Sequence, residues 1–129
     1  MLERKTRVLL TEDNAGLRDT LADILRAADM EVDVALDAPA AFGLLDEGQY
    51  DVAVVDLVLP GLSGVEVVRK IKASSPATRI IVCTAYYNSE LLAEAQALGI
   101  DQTVHKPADP GPLVGLIEKL AGLAPGEKP

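Results

Sequence analysis

The sequence predicts an α/β fold on a parallel sheet, and three observations carry that prediction. Short apolar runs rich in β-branched residues alternate with segments whose apolar residues recur at helical spacing. Three of these runs, Val8-Leu9-Leu10, residues 52–55 and Ile80-Ile81-Val82, are continuously apolar, as strands covered on both faces are. Two others, Glu31-Val32-Asp33-Val34 and Gln102-Thr103-Val104, mix polar with apolar residues, as sheet edges do.

Taken in order, the first strand leads into a helix whose apolar residues Leu17, Leu21, Ile24, Leu25 and Ala28 share a face. After the first edge strand, Asp37 followed by Pro39 has helix-start chemistry, because proline tolerates an early helical position. The strand over residues 52–55 precedes a helix carrying Val65, Val68 and Ile71. The strand at Ile80 precedes one carrying Leu91, Ala95 and Leu98, which Gly99 stops. Beyond the second edge strand, Leu113, Leu116, Ile117 and Leu120 mark a final helix. Strict alternation of five strands and five helices implies right-handed crossovers with helices on both faces. Three doubly covered strands between two edges suit a flavodoxin-like (βα)5 three-layer sandwich, with a parallel sheet of order 2-1-3-4-5.

The 129 residues, 49% of them hydrophobic, suit one domain over residues 1–123 that buries roughly two thirds of its unfolded surface. Residues 124–129 have linker composition. A formal net charge of -8 argues against direct nucleic-acid binding, which depends on clustered Lys and Arg. One cysteine, Cys83, and one histidine, His105, exclude an internal disulfide and a zinc cage. A reducing, cytoplasmic setting is expected. No stretch has the apolar length of a membrane span, and residues 1–7 are not followed by a signal-peptide core.

Asp56 ends an apolar run, where a charge costs folding energy unless it is compensated. Reading each strand to its C-terminal end adds Glu12 and Asp13 after the first, Thr84 after the fourth and Lys106 after the fifth. In open α/β sheets ligands bind outside these ends where the strand order reverses, here between the first and third strands. Three crowded carboxylates invite a hard divalent cation, and so few protein oxygens suit Mg²⁺ better than Ca²⁺. A hydroxyl and an ammonium beside them resemble a holder for a transferred phosphoryl group, with Asp56 as covalent acceptor.

On Leu10-Thr11-Glu12-Asp13-Asn14, on Asp56-Leu57-Val58-Leu59-Pro60-Gly61-Leu62-Ser63-Gly64, on Thr84-Ala85 and on Lys106-Pro107, the sequence resembles the receiver domain of bacterial two-component response regulators. The resemblance spans essentially the whole chain. It implies that Asp56 receives a phosphoryl group from a sensor histidine kinase or phosphotransfer protein, with Thr84 and Lys106 contacting that group. It implies that Glu12, Asp13, Asp56 and the Val58 carbonyl hold Mg²⁺, for which Mn²⁺ can substitute, and that the Lys106–Pro107 bond is cis. The implied partners are the phosphodonor, a downstream effector domain or protein, and a phosphorylation-dependent second copy. No nucleic acid and no membrane are expected for this domain. The chemistry implied is self-phosphorylation and autodephosphorylation, not turnover of a separate substrate. The chain departs from the family at Thr103, where an aromatic ring usually takes part in the switch; the alternatives are a substitute signal from Tyr86 or Tyr87 and signalling through a different surface.

Each residue also has a structural reading. Glu12 and Asp13 suit helix capping, Thr84 a strand, and Lys106 a solvated surface. Pro60, Gly61 and Gly64 read as turn and helix-start chemistry, Cys83 as a packed hydrophobe, and Arg69, Lys70 and Lys72 as a solvated helix face. The joint placement of Glu12, Asp13, Asp56, Thr84 and Lys106 favours the signalling reading. The alternatives are a phosphorylation-independent interaction module on the same fold and a metal-dependent phosphatase or phosphotransferase.

Overall fold

A computed structural model describes residues 4–86, 89–124 and 126–129. Residues 1–3, Tyr87 and Pro125, which enter the readings above, lie outside the described residues. Among the described residues strands and helices alternate as β1 (Arg7–Thr11), α1 (Ala15–Ala27), β2 (Glu31–Ala35), α2 (Ala38–Glu47), β3 (Val52–Asp56), α3 (Gly64–Ser74), β4 (Arg79–Thr84), α4 (Glu90–Leu98), β5 (Gln102–His105) and α5 (Pro110–Ala121). The strands form one parallel sheet in the order β2-β1-β3-β4-β5, the flavodoxin-like arrangement that the patterning predicts.

Side-chain alternation divides the central strands between two cores. Leu9, Ala53, Val55, Ile80 and Val82 point toward α2, α3 and α4 and pack with Ala41, Val65, Val68, Ile71 and Leu92. Val8, Leu10, Val52, Val54 and Ile81 point the other way, toward α1 and α5, and pack with Leu21, Leu25, Leu113, Ile117 and Leu120. Every residue of β3 and β4 is buried, whereas β2 and β5 carry exposed positions. In α4 the buried positions are Leu92 and Ala95. The expected Leu91 and Leu98 are half-buried at the margin of the same core.

Side-chain caps define the helix starts. Asn14 accepts from the Leu17 amide, Asp37 from Ala40, and Ser89 from Leu92. The cap of α1 is therefore Asn14 and not the acidic pair before it. Gly99 ends α4 with a φ of 95°, a left-handed conformation that glycine adopts without steric cost.

At the N-terminal ends of the strands, two aspartates tie neighbouring strands together. Asp51 Oδ2 accepts the Arg7 amide at 2.8 Å, and both Asp51 oxygens receive the Arg4 guanidinium. Asp101 Oδ2 accepts the Ile80 amide at 2.8 Å while its Oδ1 meets Arg79 at 3.1 Å. Burial opposes ionisation of Asp51, but the bonds from Arg4 and Arg7 outweigh it and hold its carboxyl below the ordinary aspartate value. A depressed folded-state pKa means that this stabilisation is fully present above the unfolded-state value and is lost as pH falls through the folded-state value. Asp51→Asn should lower the melting temperature at pH 7, and the gap to wild type should close as the pH is taken below about 4.

Candidate functional site

The strand order places the C-terminal ends of β1 and β3 side by side. The residues that leave them are charged although the strands themselves are apolar. Asp56, the last residue of β3, is 5% exposed, and Glu12, directly after β1, is 3% exposed, whereas Asp13 is open to solvent. One carboxylate oxygen from each of the three lies within 4.8 Å of the others. Lys106, directly after β5, reaches across β4 into this cluster. Its Nζ is 2.5 Å from Glu12 Oε1 and 2.7 Å from Asp56 Oδ2.

The second oxygen of each buried carboxylate is also used. Glu12 Oε2 accepts the Asn14 amide and Asp56 Oδ1 accepts the Val58 amide, both at 3.1 Å. Each carboxylate thus takes one bond from the ammonium and one from the loop that follows its own strand. Burial lifts the Glu12 carboxyl above its ordinary value, and the hydrogen bond from Lys106 opposes the lift. For Lys106, burial works against the charge, but the bonds to Asp56 and Glu12 outweigh it and raise the pKa. The cluster opens into a cavity of about 360 Å³, whose wall also includes Leu17, Val58 and Tyr86.

Thr84 ends β4 fully buried, with its hydroxyl accepting the Tyr86 amide at 3.0 Å, and it is not part of the cavity wall. A hydroxyl that accepts one bond still has its own hydrogen to donate. Tyr86 is 60% exposed. Thr103 lies away from the cluster, half-buried beside a shallow cavity lined by Gln96, Ile100 and Asp101. The Lys106–Pro107 peptide bond is cis.

The loop after β3 depends on glycine. Gly61 has a φ of 77°, and the Gly64 amide donates to the Leu57 carbonyl at 2.9 Å. A Cβ on Gly64 would overlap the Asp56 carbonyl, so α3 starts this close to the acidic strand end only because residue 64 has no side chain. On α3, Arg69 bonds Glu66 of the same helix and Lys70 bonds Asp46 of α2, and Cys83 is packed beside Asp56 with its thiol pushed up to about 11 by burial. Two contributors carried no clear sequence signal. Asn14 both caps α1 and supports Glu12, which only the capping position before a helical period hints at. Arg18 on α1 donates to the Glu12 carbonyl at 3.3 Å, a contact that no local pattern reveals.

The family model of the response regulator receiver domain matches residues 8–118. The chain belongs to that family. Receiver domains are signalling domains. This one is 36% identical over 112 residues to the sensory transduction protein RegX3 of Mycobacterium tuberculosis, covering 87% of this chain and 49% of that protein. It is 36% identical over 102 residues to a cyclic di-GMP phosphodiesterase of Thermotoga maritima, covering 79% of this chain and 27% of that protein. The response regulator TrrA of Thermotoga maritima, solved in complex with Mg²⁺ and beryllium fluoride, superposes with a TM-score of 0.77 at 31% identity, covering 89% of this chain and 98% of that one. The receiver domain thus spans half or less of the length of these two curated relatives. No described helix is long and apolar enough to cross a membrane.

Gly64→Ala should destabilise the domain by roughly 1–3 kcal/mol, the usual cost of forcing a methyl group into packed structure. Urea denaturation measures the loss, and an unchanged midpoint would mean that α3 can retreat freely from Asp56.

Proposed function

We propose that this receiver domain accepts a phosphoryl group on Asp56 from a phosphohistidine of a sensor kinase or phosphotransfer protein, and that the modification changes its interactions with an effector. The observation that carries the reading is the ammonium of Lys106 held between two buried carboxylates, with a third carboxylate at the mouth of the same cavity. A buried anionic cluster with an ammonium between its carboxylates costs more than an apolar strand end would, and a site for a polyanionic group explains why it is kept.

The donor set fits Mg²⁺, with Mn²⁺ as a substitute. Glu12, Asp13 and Asp56 offer hard oxygens within 4.8 Å of one another, and the Val58 carbonyl follows directly on the same loop. When bound, the cation supplies positive charge against the phosphoryl oxygens and the acceptor carboxylate. Asp56 forms the new O–P bond as the P–N bond of the donor breaks, and the imidazole nitrogen leaves with the electron pair. Lys106 turns from pairing carboxylates to pairing the incoming phosphoryl oxygens, and Thr84 donates its hydroxyl hydrogen to one of them. Because the Tyr86 amide is bonded to that hydroxyl, movement of Thr84 is felt first at the exposed Tyr86 ring. This supports Tyr86 as a substitute for the ring that Thr103 lacks.

The reading places the domain in the cytoplasm, limits its chemistry to phosphorylation and hydrolysis at its own Asp56, and assigns it no direct contact with nucleic acid. A phosphorylation-dependent second copy is part of the same reading.

Incubation with acetyl phosphate tests it by intact mass. Wild type should gain one phosphoryl group in Mg²⁺ and none in excess chelator, and Asp56→Asn should gain none. A gain that survives the substitution would remove Asp56 from its role.

A further inference from the structure

Arg79 is the one buried basic side chain among the described residues, and the phosphoacceptor chemistry does not use it. It opens β4 at the end of the sheet opposite the acidic cluster. Its guanidinium is divided between two partners. One amine donates to Asp101 Oδ1 at 3.1 Å, and the other donates to the carbonyl of Ala124, past the end of α5, at 2.5 Å. Asp101 in turn ties β5 to β4 through the Ile80 amide and carbonyl.

Ala124 is held from both sides. Its carbonyl also accepts the Glu127 amide at 3.0 Å, and its own amide donates to Glu127 Oε1 at 2.9 Å. Leu123 packs at the margin of the α1–α5 core. Residues 126–129 then line a cavity of about 490 Å³ together with Lys72, Thr78, Arg79 and Asp101. A segment of linker composition is thus bonded through Ala124 to Arg79 at the start of β4, which is itself paired with Asp101 before β5.

The opposite ends of these two strands carry Thr84 and Lys106, and the ladder between them runs from Ile81 opposite Gln102 to Thr84 opposite His105. β5, the edge strand, has no fully buried residue, so it can shift against the buried β4 without opening either core. Where the two ends of β5 move together, a ligand that binds more tightly to one position biases the contacts at the other end by no more than its differential affinity for the two positions.

We propose that Arg79 is an output latch. It holds the chain beyond α5 against β4 and β5, and engagement of a phosphoryl group by Thr84 and Lys106 changes how tightly it holds. The coupling rests on the phosphoacceptor reading of Asp56, and the latch itself does not.

Hydrogen exchange at the Glu127 amide of the full chain tests the proposal. Its exchange should be slowed in wild type and become about tenfold faster in both Arg79→Met and Arg79→Lys, the second of which keeps a cation beside Asp101 but lacks the guanidinium's second amine. Mg²⁺ with beryllofluoride should change the wild-type rate. Equal exchange in wild type and Arg79→Lys would overturn the latch. A melting-temperature rise with beryllofluoride but an unchanged Glu127 rate would overturn the coupling. No melting-temperature rise at all would count against the phosphoacceptor reading and the coupling built on it, and the two variants would still decide the latch.

Discussion

One ammonium between two buried carboxylates is the contact around which this domain is arranged. Burying Glu12 and Asp56 is costly, and like charges so close repel. Lys106 meets both at hydrogen-bond distance and removes much of that cost. The arrangement needs β1, β3 and β5 to end on one rim, which this parallel sheet provides. Each carboxylate is completed by an amide from its own loop, so the loops are ordered by the charges they carry.

That demand reaches into the apolar frame. β3 is buried along its whole length, which fixes where Asp56 emerges, and α3 begins against its carbonyl through Gly64. On the other side, Asn14 ends the β1 loop as the cap of α1 while its amide supports Glu12. Packing and electrostatics share residues here, so a change in the core next to β3 is also a change in the site. At the far end of the sheet, Asp51 and Asp101 repeat the same device, each accepting a strand-end amide and pairing with an arginine, the exposed Arg4 for Asp51 and the buried Arg79 for Asp101.

Strand identity and order were legible because burial on two faces demands continuous β-branched runs, and edge strands tolerate polar residues. The rim residues were legible because a charge at the end of such a run is otherwise unfavourable. Strand ends were less so. Arg7, Thr11, Asp56 and Thr84 belong to the ladders although they interrupt the apolar pattern, because backbone pairing continues beyond the core. In α4, Leu91, Leu92 and Leu98 all fit a helical period, and only the packing of α3 against α4 selects Leu92 for burial. The state of the Thr84 hydroxyl and the burial of Arg79 depend on groups that are distant in sequence or on loop conformation, and neither leaves a local pattern.

The central claim is that Lys106 compensates buried charge on its carboxylate partners. A double-mutant cycle of Lys106→Met and Asp56→Asn, measured by urea denaturation in the presence of chelator, tests it most directly. Removing the ammonium should destabilise wild type strongly and the Asp56→Asn background less, with a coupling of roughly 1–3 kcal/mol. Simple additivity of the two substitutions would contradict the account.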